Sequence, residues 1–540
     1  MTITTAKTPE AVPSRRPFLR LAPLAVAAML LSAECHADWK VTPSIDLRET
    51  YSDNLGLQND DLAHGGFVSE AAPRISVLVN GPRLKLTGEA QWRQFAFSDS
   101  NDGNDGNNGN ANLHNSERRY NVDAQSVLVD QLLYLDGSAS RSRQSVSAFG
   151  QLTDNGYSAA NNADINIWRI SPYLRHRFGS NAVATLRLTR DSVDGNVNGY
   201  GDSKATTKSA DVVSGSAFTT LAWNASYVRQ DLSMTQDTGA GAVGSIGDSS
   251  YETATLGGRW NIIPRFGLTA TVGYDDYEYP SLNESTSGKS WTGGFVWTPS
   301  ARTSLQASFG RRYFGKTGSL AFSHRMRRSV WTADYTDAVT TTRSQFLLPA
   351  TVNTAAMLDN LFSSSYPDPV QRQQAVQAYI ASAGLPASLA NSINYLTNRY
   401  IRVKRLQGAV AFRGAHSDLV LTVFRDERTA LSLQESDSPL TGNQLSSLND
   451  NTRQRGATAN FAYRLSSRTQ ASANLSAINV ESLTTGLTSN NREARLSLTR
   501  RFDAHTRGSI DLRRSTGRQD LINNDSYHEN AIIATLSFVY

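Results

Sequence analysis

The last ten residues, 531–540, have the alternation of a β-strand and continue to the carboxyl terminus of the chain. Every second position is apolar: Ile532, Ala534, Leu536, Phe538 and Tyr540. Because the side chains of a strand alternate between its two faces, this pattern predicts one apolar face and one polar face. A closed barrel needs such a strand, since its last strand must pair with its first to remove the edge of the sheet.

Leu536, Phe538 and Tyr540 resemble the terminal signal by which the barrel-assembly machinery of Gram-negative bacteria recognises its substrates. The resemblance implies that this machinery is a partner, reached through the C-terminal strand. The alternative for the same residues is an apolar strand at the end of a soluble β-sandwich. The rest of the chain has to decide between the two.

The amino terminus has the pattern of a secretory signal peptide. Basic residues come first, then an apolar run, then small residues: Arg15, Arg16 and Arg20, followed by 21–31 and 32–37. We predict a signal peptide at 1–37, cleaved after Ala37, and Sec-type export. A lipoprotein signal at Cys35 is less well supported because Glu34 stands where a small residue is needed. A membrane anchor is disfavoured because the run is too short to span a bilayer.

Composition excludes several classes of protein. Cys35 is the only cysteine, so a chain cleaved after Ala37 has neither disulfides nor thiolate metal sites. The leader carries four basic and two acidic residues, and its removal lowers the net charge from +5 to +3, which gives no support for nucleic-acid binding. The mean hydropathy of −0.40 is too polar for a helical membrane protein. A barrel with a wet lumen is polar by the same measure.

From Trp39 onward one unit recurs, in which a strand, a short turn, a second strand and a long polar connection follow one another. The strand at 84–97 shows the alternation, since Leu84 to Trp92 are apolar at even positions and Lys85 to Arg93 are polar at odd positions. A strand face that carries charges along its whole length is in contact with water. In a barrel this face lines the lumen. Alternating short and long connections are typical of bacterial barrels, with short periplasmic turns and long external loops.

We therefore predict an all-β fold, a transmembrane antiparallel up-and-down β-barrel that occupies 38–540. Counting the units gives about 22 strands, an even number as bacterial barrels favour, within a range of roughly 18 to 24. The expected location is the outer membrane of a Gram-negative bacterium, among outer-membrane lipid and lipopolysaccharide. A plugged transporter has about 22 strands too, but needs an amino-terminal plug, for which strands that begin at Trp39 leave no room.

One segment, 353–398, interrupts the strand pattern with helical spacing. Asp368-Pro369 is a plausible helix start and Gly384 a plausible stop. The strand count places this insertion in an external loop. Two interpretations are open, an external cap on the barrel or a segment that folds into the mouth and narrows the lumen.

The alternation also predicts which charged residues line the lumen. The candidates are Lys85, Glu89, Arg93, Arg187, Arg312, Arg402, Lys404, Asp511 and Arg513. An excess of arginine would create a field across the lumen with a mild preference for anions or sugars. The alternative is that any wide barrel needs a polar wall. Aromatic residues near strand ends predict interfacial girdles, namely Trp92, Phe95, Phe97, Tyr274, Tyr277, Tyr279, Phe309, Tyr313 and Phe314.

We find no enzyme motif, and we predict no catalytic residues, no cofactor and no metal site. Phosphate-binding loops, His-Glu-x-x-His and Gly-x-Ser-x-Gly are absent from the sequence. The eight histidines have no metal-ligand spacing. Asp275, Asp276 and Glu278 are interpreted as a solvated strand end, with a calcium or catalytic pair as the alternative.

Three stretches carry a family resemblance. They are Trp39–Ser44 with Glu49–Asn54, Arg327–Trp331 with Tyr335 and Val339–Arg343, and Arg399–Arg405. Together they resemble the outer-membrane β-barrel proteins associated with the PEP-CTERM/exosortase protein-sorting system. That family occurs in bacteria with exopolysaccharide loci, and the similarity extends over essentially the whole mature chain. It implies location and architecture, and it transfers no catalytic residue.

Three functions follow as hypotheses. The first is a pore or conduit for exopolysaccharide or surface-protein export, with exopolysaccharide or periplasmic export components as partners. The second is a closed barrel that serves as a surface scaffold or assembly partner. The third is an outer-membrane barrel hydrolase acting on lipid or polysaccharide.

Overall fold

The computed structural model describes residues 38–98, 113–145, 147–150, 155–158, 161–195, 202–234, 236–237, 243–244, 248–279, 286–347, 400–432, 451–519 and 526–540. The predicted signal peptide at 1–37 and the predicted helical insertion at 353–398 lie outside these residues. The described part of the chain is almost entirely β-strand.

The first half of the chain contributes β1 (Asp38–Ser52), β2 (Gly66–Asn80), β3 (Leu84–Phe97), β4 (Ser116–Val129), β5 (Leu133–Ser145), β6 (Asn162–Phe178), β7 (Ala182–Gly195), β8 (Ser203–Ser214), β9 (Leu221–Met234), β10 (Gln236–Asp237), β11 (Val243–Gly244), β12 (Ser249–Ile263) and β13 (Phe266–Glu278). The second half contributes β14 (Ser287–Ser300), β15 (Thr303–Arg312), β16 (Gly315–Arg325), β17 (Ser329–Thr341), β18 (Tyr400–Arg413), β19 (Ser417–Ala430), β20 (Asn451–Arg464), β21 (Thr469–Ser482), β22 (Thr488–Arg501), β23 (Thr506–Gln519) and β24 (Ser526–Val539). The described residues also form two short helical segments, a 3-10 turn (Asp60–Leu62) and α1 (Thr342–Phe346).

The strands other than β10 and β11 form one closed sheet of 22 antiparallel strands. Each strand pairs with its neighbours along the chain, and β9 pairs with β12 across the small β10–β11 sheet. The sheet closes where β1 pairs with β24, from Ser44 opposite Val539 to Ser52 opposite Ala531. The predicted up-and-down barrel and its strand number are confirmed.

Short and long connections alternate around the barrel, so that one end carries tight turns and the other carries the long connections. The turn between β4 and β5 is tight because Gln131 adopts a left-handed backbone conformation, with φ of 62°. The regular alternation has one clear exception. Only Tyr313 and Phe314 connect β15 to β16, at the end where most of the other connections are long.

The outer face of the barrel is apolar toward the short-turn end and charged toward the long-loop end. On β23, Ile510 and Leu512 are about half exposed, and Arg514 and Arg518 follow on the same face. Directly paired residues share a face, and Leu512 pairs with the exposed Ile532 of β24. An apolar belt of this extent is stable only against lipid, so the chain is a barrel of the outer-membrane type.

Strand length agrees with this division of the outer face. The barrel strands run from 10 residues in β15 to 17 in β6. About 9–11 residues suffice to cross a bilayer, so the charged ends of the longer strands extend beyond it. Within the described residues, no helix is both long enough and apolar enough to span a membrane.

The aromatic residues near strand ends divide between the two faces. Trp92, Tyr274 and Phe309 are about half exposed on the outer face, where a girdle is expected. Phe95 and Tyr277 are buried, because they stand at alternate positions and face inward. The girdle prediction was therefore wrong for these residues, since proximity to a strand end does not specify the face.

Candidate functional site

The candidate site is the inner wall of the barrel and its mouth at the long-loop end. The register places most of the predicted lumen residues on the face opposite the apolar belt, namely Lys85, Glu89, Arg93, Arg187, Arg312, Asp511 and Arg513. Most of their charges are paired locally: Glu89 with Arg74 at 3.5 Å, Arg187 with Asp136 at 2.8 Å, Arg312 with Asp275 at 2.6 Å, Asp511 with Arg495 at 2.7 Å and Arg513 with Glu529 at 2.8 Å. The wall is thus polar but locally compensated, instead of carrying rows of isolated arginines.

Arg402 and Lys404 lie on the other face. They share the outer face of β18 with Leu406, which is 49% exposed and pairs with Tyr335. Arg402 binds both oxygens of Asp337, at 2.8 and 2.7 Å, and Lys404 lies 3.9 Å from Glu427. Their assignment to the lumen is corrected, because the alternation of β18 was read one residue out of phase.

The Arg93 site, formed by Arg93, Glu70 and Glu117, is a buried ion-pair group on three adjacent strands. Arg93 donates from Nε to Glu70 at 2.7 Å and from Nη1 to Glu117 at 2.8 Å. Arg48 reaches the same Glu70 at 3.2 Å. The side chains of Arg93 and both glutamates are at most 6% exposed. Since a buried charge is tolerated only when paired, these strands depend on each other.

The connection between β5 and β6 folds inward onto the Arg93 site. Arg93 donates to the carbonyl oxygen of Asn155 at 3.0 Å, and Arg143 donates to that of Gly156 at 2.5 Å. Gly156 has φ of +78°, and a Cβ there would lie 2.1 Å from Nη1 of Arg93. Tyr157 packs edge-on against Phe95, with ring centroids 5.8 Å apart. The segment 155–158 therefore caps the inner wall at this side of the mouth.

A second inward contact, the Arg343 strut, crosses the mouth. Thr341 caps the short α1 by accepting a hydrogen bond from the backbone N–H of Ser344. From α1, Arg343 donates to the carboxylate of Asp191 and, at 2.9 Å, to the hydroxyl of Ser203. Asp191 lies on β7, which is separated from β17 by β8, β9 and β12–β16. The guanidinium and the carboxylate are each 2% exposed.

A polar pocket of about 400 Å³ lies on the inner wall beside the strut. Its wall is built from residues of β4 to β9, together with Ser344 of α1 and Leu347, which follows α1. Arg187 stands in it between Asp136 and Tyr173, whose ring centroid is 4.0 Å from Cζ of Arg187. Hydroxyl, amide and charged groups in a concave site suit a hydroxylated or charged solute.

A third inward contact, the tyrosine cluster, comprises Tyr251, Tyr277, Tyr279, Tyr313 and Tyr400. The rings of Tyr279 and Tyr400 stack at 4.3 Å, although β14 to β17 separate their strands. Tyr313 is the tip of the low β15–β16 hairpin and lies 4.8 Å from Tyr277. Above the end of this hairpin, Tyr279 after β13 and Tyr400 of β18 contact each other, and this contact closes the gap in the wall.

The predicted barrel-assembly residues lie at the closing seam. Leu536 pairs with Leu47 of β1 and is 38% exposed on the outer face, and Phe538 pairs with Ile45. The backbone N–H of Tyr540 donates to the carbonyl oxygen of Pro43 at 2.9 Å. Their recognition by assembly machinery stays a prediction.

The carboxylates considered for chemistry are held apart. Asp275 is fully buried and binds Arg312 through both oxygens, at 2.9 and 2.6 Å. Asp276 is exposed on the opposite face of β13. No group of three or more His, Cys, Asp or Glu in the described residues could hold a metal ion.

Comparison with known proteins identifies the fold. No protein-family model matches the chain, and no curated protein matches it significantly. Among solved structures, the F3-3 variant of the FrpB iron transporter from Neisseria meningitidis is similar, with a TM-score of 0.50 at 10% identity over 95% of this chain and 83% of that one. The F5-1 variant gives 0.50 at 9% identity over 92% and 82%. At such identity the likeness shows the fold alone.

The contacts that cross the mouth are not predicted from the sequence. In the sequence, Arg343 falls only within a stretch of family resemblance, and Asp191 only begins a polar run. Gly156 between polar residues was the one available signal for an inward-folded connection, since glycine permits positive φ and close approach. Nothing local in the sequence marks which distant strand a side chain will reach.

Proposed function

We propose that the chain is an outer-membrane conduit for polar solutes, narrowed at its external mouth by the Arg343 strut and its neighbours. The observation that carries the proposal is a polar inner wall, enclosed by a complete barrel, that continues into the pocket beside the strut.

The size of the barrel supports a conduit. With strands about 4.8 Å apart and tilted by about 40°, 22 strands form a ring on the order of 40 Å across. Side chains from the wall alone cannot fill so wide a lumen. The strut and the tyrosine cluster are therefore the features that restrict passage among the described residues.

The cargo we propose is an exopolysaccharide, or a surface protein of the same export system. Two things support it, the resemblance to the PEP-CTERM-associated barrels and a wall whose Ser, Thr, Gln and Arg side chains can exchange hydrogen bonds with sugar hydroxyls. The solved neighbours of high coverage are named as iron transporters, which supports transport as the class of function without supporting this cargo.

The scaffold alternative draws on one specific observation. The Arg343 strut is buried and crosses the mouth, so the barrel in this conformation is partly closed. A barrel held shut in this way would present its external surface to partners without passing a solute.

Conductance in planar bilayers separates the two. We expect the mature barrel to open a channel, and Arg343→Ala to increase its single-channel conductance or open probability, because the variant loses the contact with Asp191. Arg229→Ala is the matched control, since Arg229 is an exposed arginine on the outer face, bound to Asp231. A wild-type barrel and an Arg343→Ala variant that both stay closed would contradict the conduit and favour the scaffold.

A further inference from the structure

The outer face of β19 to β23 carries a group of arginines just above the apolar belt. This basic arc consists of Arg425, Arg455, Arg492, Arg514 and Arg518, all exposed. Four of them adjoin an apolar outer residue of the same strand on the side of the short turns, namely Arg425 beside Val423, Arg455 beside Ala457, Arg492 beside Ala494 and Arg514 beside Leu512. The arc therefore runs along the upper border of the belt instead of being scattered over the rim.

The register shows how closely the arc is assembled. One outer residue from each of β19 to β23 forms a continuous row across the sheet, in which each residue pairs with the next. In order, the row is Arg425, Arg455, Asn479, Asn490 and Arg518. Successive members of this row are about 5 Å apart, the spacing of neighbouring strands. Arg492 and Arg514 stand below the row on β22 and β23. Like charges this close repel each other, which favours an anion between them.

Among the residues that the structure describes, no carboxylate forms an ion pair with Arg455, Arg492 or Arg514. Glu427 and Glu481 lie one position nearer the long-loop end, and Arg453 bridges them at 3.6 and 3.4 Å. Arg425 approaches Glu427 only at 4.0 Å. Arg455 uses its Nε to bind the side-chain oxygen of Asn479, which orients the guanidinium along the row.

The opposite side of the barrel differs at the same level. Arg229 of β9 lies 3.2 Å from Asp231 and 3.6 Å from Glu252, so its charge is compensated on the protein itself. Asp276 and Glu278 continue this face on β13. The outer face of β9 to β13 therefore carries carboxylates at this level, whereas the row across β19 to β23 holds only arginine and asparagine side chains.

We propose that the basic arc binds the phosphate groups of lipopolysaccharide in the surrounding outer leaflet. The ligand must be an amphiphile, because the arc adjoins a surface that only acyl chains can cover. It must be anionic at the border between acyl chains and water, where phosphorylated glucosamine lies. Arginine forms paired hydrogen bonds to phosphate, which suits the exposed guanidinium groups. The inference rests on the outer-membrane location proposed above and does not require a conducting lumen.

The test is lipid A binding to the full mature barrel, refolded in detergent and measured by native mass spectrometry. We expect Arg455→Gln/Arg492→Gln/Arg514→Gln to reduce lipid A binding by about tenfold, as expected when several charge-assisted hydrogen bonds are lost. The matched control is Arg190→Gln/Lys208→Gln/Arg229→Gln, which removes the same charge from exposed positions on β7 to β9. The control should bind as the wild type does.

Binding of two further lipids shows whether the arginines bind the phosphate groups of lipid A. Lipid A without its phosphates should bind to wild type and triple variant equally, and phosphatidylglycerol should show a smaller difference than lipid A. Equal loss in the triple variant and the control would overturn the inference, because it would indicate net charge alone. If the triple variant fails to fold, as judged by heat-modified gel migration, Arg492→Gln and Arg514→Gln are each measured alone, and wild-type binding by both would also overturn it. Conductance is read separately, so a closed barrel that binds lipid A would refute only the conduit.

Discussion

The Arg93 site and the Arg343 strut are both buried arginine–carboxylate groups at the mouth, and they differ in what they connect. Arg93 joins β2, β3 and β4, which are neighbours in the sheet. Arg343 joins β7 to a segment that follows β17, on a different part of the ring. The first group joins neighbouring strands of the wall. The second joins the segment after β17 to β7, on the other side of the opening. Buried arginine–carboxylate pairs therefore hold strands together at the Arg93 site and narrow the mouth at the Arg343 strut.

Arg93→Met should have the largest effect on stability. It removes the partner that Glu70 and Glu117 share and leaves each with one close arginine, Arg48 or Arg119, which costs about 3 kcal/mol in the free energy of unfolding. Urea unfolding of the refolded barrel in detergent, followed by tryptophan fluorescence, measures this. Arg229→Met is the control and should unfold with the wild type. Unfolding of Arg93→Met at the wild-type urea concentration would break the distinction between the two sites.

Gly156→Ala should weaken the contact between the inward-folded segment and the Arg93 site. The added Cβ collides with the Arg93 guanidinium, and the positive φ disfavours alanine, together about 1–3 kcal/mol. Chymotrypsin should then cleave after Tyr157, which is buried in the wild type. Gly486→Ala is the matched control, because Gly486 also has positive φ, +76°, but no atom within 4 Å of the added Cβ. Equal effects of the two substitutions would show that backbone strain acts alone.

Arg343→Ala should cost less stability than Arg93→Met, about 1 kcal/mol, because water in the lumen can solvate Asp191 once the segment moves away. The same urea titration measures it. A loss of stability as large as that of Arg93→Met would mean that the strut also holds the wall together. The two buried groups would then not have the different roles proposed for them.

The fold could be predicted from sequence because its signals are local. Alternation specifies strands, as on β3 from Leu84 to Trp92, and the apolar terminal strand at 531–540 specifies closure. A strand without clean alternation loses its phase, which is why Arg402 and Lys404 were placed in the lumen. Contacts such as Tyr279 with Tyr400 depend on the height of an intervening hairpin and on the curvature of the ring. Neither the height of the hairpin nor the curvature of the ring can be predicted from a short stretch of residues.

The smallest effect is expected at the opposite end of the barrel, in the turn between β22 and β23. The backbone N–H groups of His505 and Thr506 each donate to Asp503 at 2.7 Å, and these hydrogen bonds hold the pKa of that carboxyl below its ordinary range. A carboxyl whose pKa is lowered by folding adds stability when it is ionised, and this is lost as the pH falls from about 4 through the folded pKa. Asp503→Asn should therefore lower stability slightly at pH 7 and make it less dependent on pH below about 4, because the amide cannot ionise. Urea midpoints from pH 7 to pH 3 check this, and a large change at neutral pH would mean that the short turns also hold the wall together, as the Arg93 site does at the mouth.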